Sequence, residues 1–232
     1  MVNCESFIQS FLQLLYPNLC VSCNNNLVEG ERYLCLGCQF VLPETNNHLK
    51  KENEVEKTLW GRIPFERAFS FLFFNQHGMT QKLLHELKYK GNEELATFLG
   101  EIYAERIKKT IENHRIDSIV AIPLHNSKLR KRGYNQSLAF ANGLSNHLQI
   151  DNLSEALVRT KATDTQTKKS RTERWKNVSS IFKVEDGSVF ENRHILLVDD
   201  VITTGATIES CAREIIKSSN CTISIASIAF AA

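Results

Sequence analysis

HILLVDDVITTGAT, from His194 to Thr207, decides how this chain is read. An apolar run ends in two adjacent aspartates, and a Thr-Thr-Gly-Ala-Thr turn then leads into helix-like sequence. The run Ile195 to Val198 is apolar at every position, as in a strand covered on both faces of a parallel sheet. Open parallel sheets bind ligands beyond the carboxyl ends of their strands, and Asp199 and Asp200 fall at such an end. The loop Thr203, Thr204, Gly205, Ala206 and Thr207 offers backbone N–H groups, hydroxyl donors and a glycine that admits close approach. With the start of the next helix it forms an anion cradle. An ordinary strand-to-helix turn with one Asp as N-cap is the plainer reading, but it needs one carboxylate and no Thr/Gly nest. Two carboxylates beside a phosphate cradle suit a sugar phosphate: the acids accept from vicinal ribose hydroxyls and the loop holds the 5′-phosphate.

The surrounding sequence agrees with an α/β fold. Strand-like segments at Ala68–Phe74, Ser118–Ile122, Leu157–Thr160, His194–Val198 and Thr222–Ala229 alternate with helical ones. The helical segments are Thr80–Tyr89, Glu93–Ile111, Gln136–Leu148 and Thr207–Ser218. Such alternation implies βαβ units and a parallel sheet. The 232 residues are 42% hydrophobic, enough for a sizeable core, and the net charge of +2 gives the whole chain no polyelectrolyte character. Nucleic-acid binding, if any, must come from local basic patches.

A separate module precedes this part. Cys20-x-x-Cys23 and Cys35-x-x-Cys38 are separated by eleven residues. Two knuckles of this kind close a tetrahedral Cys4 shell, so a structural zinc ribbon is expected in preference to a redox pair. So few apolar residues lie in this window that metal binding would supply its folding free energy. The helix-like stretch Ser6–Leu15 comes before it, and the polar run Pro43–Lys57 after it reads as a linker or exposed loop. The expected domains are therefore 1–45, leading helix plus ribbon, and 46–232. Cys211 and Cys221 are expected in the core, and Cys4 lies outside the pattern. With no basic n-region ahead of FIQSFLQLLYP, no apolar run of membrane-spanning length and seven cysteines, a cytoplasmic protein with reduced or metal-bound thiols is expected.

Two stretches are basic. AIPLHNSKLRKRGYNQS, Ala121 to Ser137, carries Lys128, Arg130, Lys131 and Arg132 without an acid; Arg159 to Lys176 holds seven Lys/Arg against two acids. Each reads as a solvated face, as a site for pyrophosphate capture, or as a groove for single-stranded DNA. Lys128, Lys131, Tyr134, Lys168, Lys169, Arg171, Arg174 and Trp175 are the nucleic-acid candidates, with Tyr134 and Trp175 as stacking rings.

VDDVITTGAT resembles the 5-phosphoribosyl-1-pyrophosphate (PRPP) signature of type I phosphoribosyltransferases. With the basic stretches, LKYKG (Leu87 to Gly91) and the Cys4 ribbon, the layout resembles the ComF competence protein family from Tyr16 onward. That resemblance implies a type I phosphoribosyltransferase-like fold. It puts the ribose hydroxyls on Asp199 and Asp200, which would also be the catalytic pair, and the 5′-phosphate on Thr203 to Thr207. It implies a pyrophosphate loop with His125, Arg130, Arg132 and Gly133, a mobile loop at Thr163–Arg174, and magnesium bridging pyrophosphate and ribose. It further implies a competence protein that binds PRPP and single-stranded DNA and supports uptake or handling of transforming DNA. A separate reading is a structural adaptor whose ribbon recruits a DNA-uptake helicase or channel component. The alternative is an active phosphoribosyltransferase of nucleotide or amine metabolism.

Overall fold

The computed structural model describes residues 17–160 and 181–231. The leading helix, Cys4 and the basic residues Lys168, Lys169, Arg171, Arg174 and Trp175 lie outside them, as does the expected mobile loop Thr163–Arg174. In chain order the elements are α1 (Leu36–Phe40), α2 (Glu54–Leu59), β1 (Ala68–Phe73), α3 (Met79–Tyr89), α4 (Glu93–His114), β2 (Ser118–Ala121) and α5 (Asn126–Arg132). They continue with α6 (Gln136–Leu148), β3 (Asp151–Asn152), β4 (Leu157–Arg159), β5 (Phe182–Val184), β6 (His194–Ile202), α7 (Ala206–Ser218) and β7 (Thr222–Phe230). Five strands form one sheet in the order β1-β7-β6-β2-β3, and all of its pairings are parallel. β4 and β5 pair antiparallel in a separate two-stranded sheet.

The two central strands are rich in apolar residues because both faces are covered. On one face Leu196, Val198, Ala226 and Ile228 pack with Leu83 and Leu87 of α3, Leu99 and Tyr103 of α4 and Phe140 of α6. On the other, Ile195, Leu197 and Ile225 pack with Leu59 of α2, Ile208, Cys211 and Ile215 of α7, and Phe182 and Phe190. Cys211 is fully buried, as expected, and Cys221 is half-buried against the same layer. Burial of this apolar surface is the main stabilising term, at roughly 25 cal/mol per Å² removed from water. Among the described residues no helix is long and apolar enough to cross a membrane.

The chain leaves β2 towards the α6 face and β6 towards the α7 face. The two strands are neighbours, paired from Ser118–Ile195 to Ala121–Val198. Their carboxyl ends therefore open a crevice at a topological switch, where such sheets place ligands. β6 is longer than the sequence suggested. It runs through both aspartates and stays paired with β7 as far as Ile202–Phe230. Beyond Val198 its other edge has outrun β2.

The polar run Pro43–Lys57 is not an exposed linker. Thr45, Asn47, His48, Asn53 and Glu56 are all buried. Asn53 caps α2 by accepting from the N–H groups of Val55 and Glu56, and its Nδ2 donates to the carbonyls of Asn47, Lys50 and Ala68. Glu56 accepts from Arg67 Nε at 2.8 Å, both side chains being under a tenth exposed. The run looks solvated in sequence, yet these residues are buried: Asn53 is satisfied by backbone groups and Glu56 by Arg67, while Asn47 Nδ2 and His48 Nδ1 find no hydrogen-bond partner among the described residues.

α4 and α6 approach closely because glycines face each other. A Cβ on Gly143 would fall onto the carbonyl of Thr97, and one on Gly100 onto the carbonyl of Phe140. Neither obstacle is a flexible side-chain tip, so relief requires the helices to separate. Gly143→Ala is expected to destabilise the fold by at least about 1–3 kcal/mol, the usual cost of overpacking. The midpoint of urea unfolding should fall accordingly; an unchanged midpoint would show that the two helices separate freely.

Candidate functional site

The paired acids sit where β6 passes the end of β2. Asp199 is buried and Asp200 partly so. Asp199 Oδ1 accepts from Ser137 Oγ on α6 at 3.4 Å and from the N–H of Asp200 at 2.8 Å; Asp200 Oδ1 accepts from the N–H of Val201 at 2.7 Å. Lys88 Nζ, at the end of α3, lies 3.0 Å from Asp200 Oδ2. Burial, followed by the neighbouring charge of Asp200, pushes the Asp199 carboxyl up to about 7. The site thus holds a carboxyl group that is easily neutralised beside one paired with an ammonium.

The turn after β6 is open. Thr203, Thr204, Ala206 and Thr207 are exposed, while Gly205 is buried at φ +75°. Gly205 is itself the N-cap of α7, which has no side-chain cap, so its first-turn N–H groups are left for an anion. The plainer reading, an Asp N-cap, does not hold here. A side chain at 205 would be strained by the left-handed backbone and would meet Leu59 Cδ2 at 2.6 Å. Arg62 Nη1 donates to the Thr204 carbonyl at 2.7 Å and fixes the turn from outside.

The segment after β2 leaves the sheet at the same carboxyl end. His125 caps α5 through Nδ1, which accepts from the N–H of Ser127, and Gly133 ends the helix at φ +83°. Lys128, Arg130 and Lys131 are exposed on α5, and Arg132 is half-buried, donating to Gln136 Oε1 at 2.7 Å. Asn135 caps α6 and donates to the Ile122 carbonyl, so this loop is tied to the end of β2.

Tyr134 has a different role from the one expected. It is only 7% exposed, and its hydroxyl donates to the Leu87 carbonyl at 2.7 Å. Its ring cannot stack on a base; it locks the end of α3 to the loop. Gln136 Nε2 donates to the same carbonyl at 3.2 Å. The LKYKG motif by itself gives Lys88 no role, and nothing in the sequence around Ser137 marks that serine. Their partner lies on a strand far along the chain, which no local pattern reveals.

The four ribbon cysteines converge: the sulfurs of Cys20, Cys23, Cys35 and Cys38 all lie within 4.8 Å of one another. Cys23 Sγ and Cys35 Sγ are 3.7 Å apart, close to the edge of about 3.8 Å of a tetrahedron with metal–sulfur bonds of about 2.3 Å. Burial raises the Cys20 thiol, but the N–H groups of Cys23, Cys35 and Ser22 outweigh it and bring it down to about 6. Burial above all, with the neighbouring thiols adding to it, pushes Cys38 up to about 12. Four crowded sulfurs cannot all be anionic without a cation, and they can hold a metal such as zinc. The ribbon is docked, not pendant. Cys20, Leu34, Cys38 and Leu42 join the main core, Arg32 pairs with Glu101 at 2.8 Å, and Lys82 Nζ donates to the Ser22 carbonyl at 2.9 Å.

Two expectations follow. Native mass spectrometry should find one zinc per chain; Cys23→Ser should lose it and lower Tm by at least about 5 °C, because metal binding and folding are linked. Metal-free wild type with an unchanged Tm would contradict this. The second concerns pH. Folded Asp199 keeps a proton that the unfolded chain, with an ordinary value near 4, releases. Its contribution to stability is therefore lost as pH rises from about 4 through about 7. Asp199→Asn should match wild type near pH 4 and exceed it in Tm at pH 8; a lower Tm at pH 8 would contradict the assignment.

Residues 135–232 match the phosphoribosyl transferase domain family. The DNA utilization protein YhgH of Escherichia coli K12 is 29% identical over 219 residues, covering 88% of this chain and 93% of that protein. Competence protein F of Haemophilus influenzae is 26% identical over 203 residues, covering 84% and 89%. Competence protein ComFC of Bacillus subtilis is 27% identical over 208 residues, covering 87% and 80%. The resemblance carried by the cysteine spacing and the VDDVITTGAT signature thus extends along nearly the whole chain, which is similar to the competence proteins F and ComFC and to YhgH, and over residues 135–232 to the phosphoribosyl transferase domain family.

Proposed function

We propose that this protein binds PRPP with magnesium at the carboxyl end of β6 and works in competence-type handling of single-stranded DNA. The observation that carries the PRPP reading is the pairing of two carboxylates with an open, uncapped helix start on one strand-to-helix turn. Asp199 and Asp200 accept from the ribose 2- and 3-hydroxyls. The N–H groups and hydroxyls from Thr203 to Thr207 take the 5′-phosphate, which the start of α7 favours electrostatically. His125, Arg130, Arg132 and Gly133 lie on the loop that leaves β2 beside this turn and face the 1-pyrophosphate. Magnesium prefers phosphate oxygens and water, and it would neutralise the pyrophosphate while Asp199 and Asp200 orient the diol. A buried Asp199 carboxyl that ionises only near neutral pH fits a position completed by hydroxyl donors and a nearby cation.

The DNA part of the reading rests on the relatives' names and on the exposed Lys128, Arg130 and Lys131 of α5. Three cations on one short helix next to the site attract a phosphate backbone, with an affinity that falls as salt rises. Zinc in the ribbon is the structural ion of this reading. Docking of the ribbon to a DNA-uptake helicase or channel component, and a cytoplasmic location, belong to the same proposal.

Calorimetric titration of PRPP in the presence of magnesium is expected to show one site. The double variant Asp199→Asn with Asp200→Asn should weaken binding at least about tenfold, the cost of losing two charge-assisted acceptors. Unchanged affinity would remove the assignment. Fluorescence anisotropy with a labelled oligonucleotide should show binding at low salt that Lys128→Ala with Lys131→Ala reduces; no binding at low salt would remove the DNA part. Pyrophosphate release with any of a panel of bases or amines would instead favour the transferase alternative.

A further inference from the structure

We infer that Lys88 is a pyrophosphate ligand held in readiness by Asp200, and that it exchanges partners when PRPP enters. This rests on the PRPP reading of the β6 turn and adds a residue from outside the 135–232 domain match. Lys88 ends α3, and its Nζ lies 3.0 Å from Asp200 Oδ2, with both side chains about a fifth exposed. That pair sits at the crevice rather than in the core. When the carboxylate turns to a ribose diol, the ammonium is left in a half-desolvated cleft and needs a new anion.

PRPP provides one in the right place. Its pyrophosphate is attached to the carbon next to the one that bears the 2-hydroxyl. A cation within hydrogen-bond reach of the group that accepts from the diol is therefore within reach of the pyrophosphate oxygens. The lysine stem is flexible enough to follow. The backbone beneath it is held: the Leu87 carbonyl accepts from Tyr134 and from Gln136, and Gln136 in turn accepts from Arg132. α3, the loop after β2 and α6 are thus joined at the residue preceding Lys88, so that Lys88 and Arg132 are set on the same structural frame.

A lysine that only neutralises Asp200 and one that changes partner give different ligand profiles. Ribose 5-phosphate has the diol and the 5′-phosphate but lacks the pyrophosphate. With magnesium present, Lys88→Gln in the full chain is expected to bind PRPP at least tenfold more weakly than wild type by calorimetry. Ribose 5-phosphate should bind as well or more tightly, because no ion pair has to open. Lys88→Arg should keep most of the PRPP affinity, and Tm should show both variants folded. Equal weakening of both ligands, or no change in either, would overturn the role of Lys88 alone. Wild type that binds neither ligand would overturn the PRPP reading and this inference with it.

Discussion

Two carboxylates on consecutive residues at the end of a buried strand repel each other, and desolvation makes Asp199 costlier to ionise. The arrangement around β6 is the answer to that cost. Ser137 and a backbone N–H meet Asp199, an ammonium from α3 meets Asp200, and the Asp199 carboxyl is pushed up to about 7. Removing the charge would be the simpler route to stability. Under the proposed reading, such a pair beside an open helix start is preorganised for a ligand with hydroxyls on one side and phosphate on the other.

The helices serve that pair. α3 delivers Lys88, α6 delivers Ser137, and the glycine contact between α4 and α6 sets how closely those two helices approach. The buried segment from Thr45 to Leu59 packs against the start of β1 and carries Leu59 under Gly205. The ribbon braces α3 and α4 through the Lys82 and Arg32 contacts and shares their core. A metal held in the ribbon would thereby be coupled to the helix that carries Lys88, although the sulfur cluster is remote in sequence from the acids.

Much of this was legible in the residues. The all-apolar run Ile195 to Val198 of β6, with the alternation of strand-like and helix-like segments, pointed to a parallel sheet because strands covered on both faces can be apolar at every position. The CxxC spacing gave the metal cluster because knuckle geometry is local. The Thr/Gly turn gave the open helix start for the same reason. What stayed hidden depended on distant partners. Asn53, Glu56 and Arg67 look like surface residues until they are seen to satisfy one another. Tyr134 looks like a stacking ring until the Leu87 carbonyl claims its hydroxyl. Lys88 looks like a surface lysine until β6 brings Asp200 to it.

The central claim is that one strand-to-helix turn holds an activated pentose by its diol and its terminal phosphate. The most direct measurement is a crystal structure of the protein with PRPP and magnesium. The account requires the ribose hydroxyls on Asp199 and Asp200 and the 5′-phosphate among the N–H groups of residues 203–207. A ligand bound elsewhere, with that turn empty and Asp199 still enclosed by α6, would contradict it.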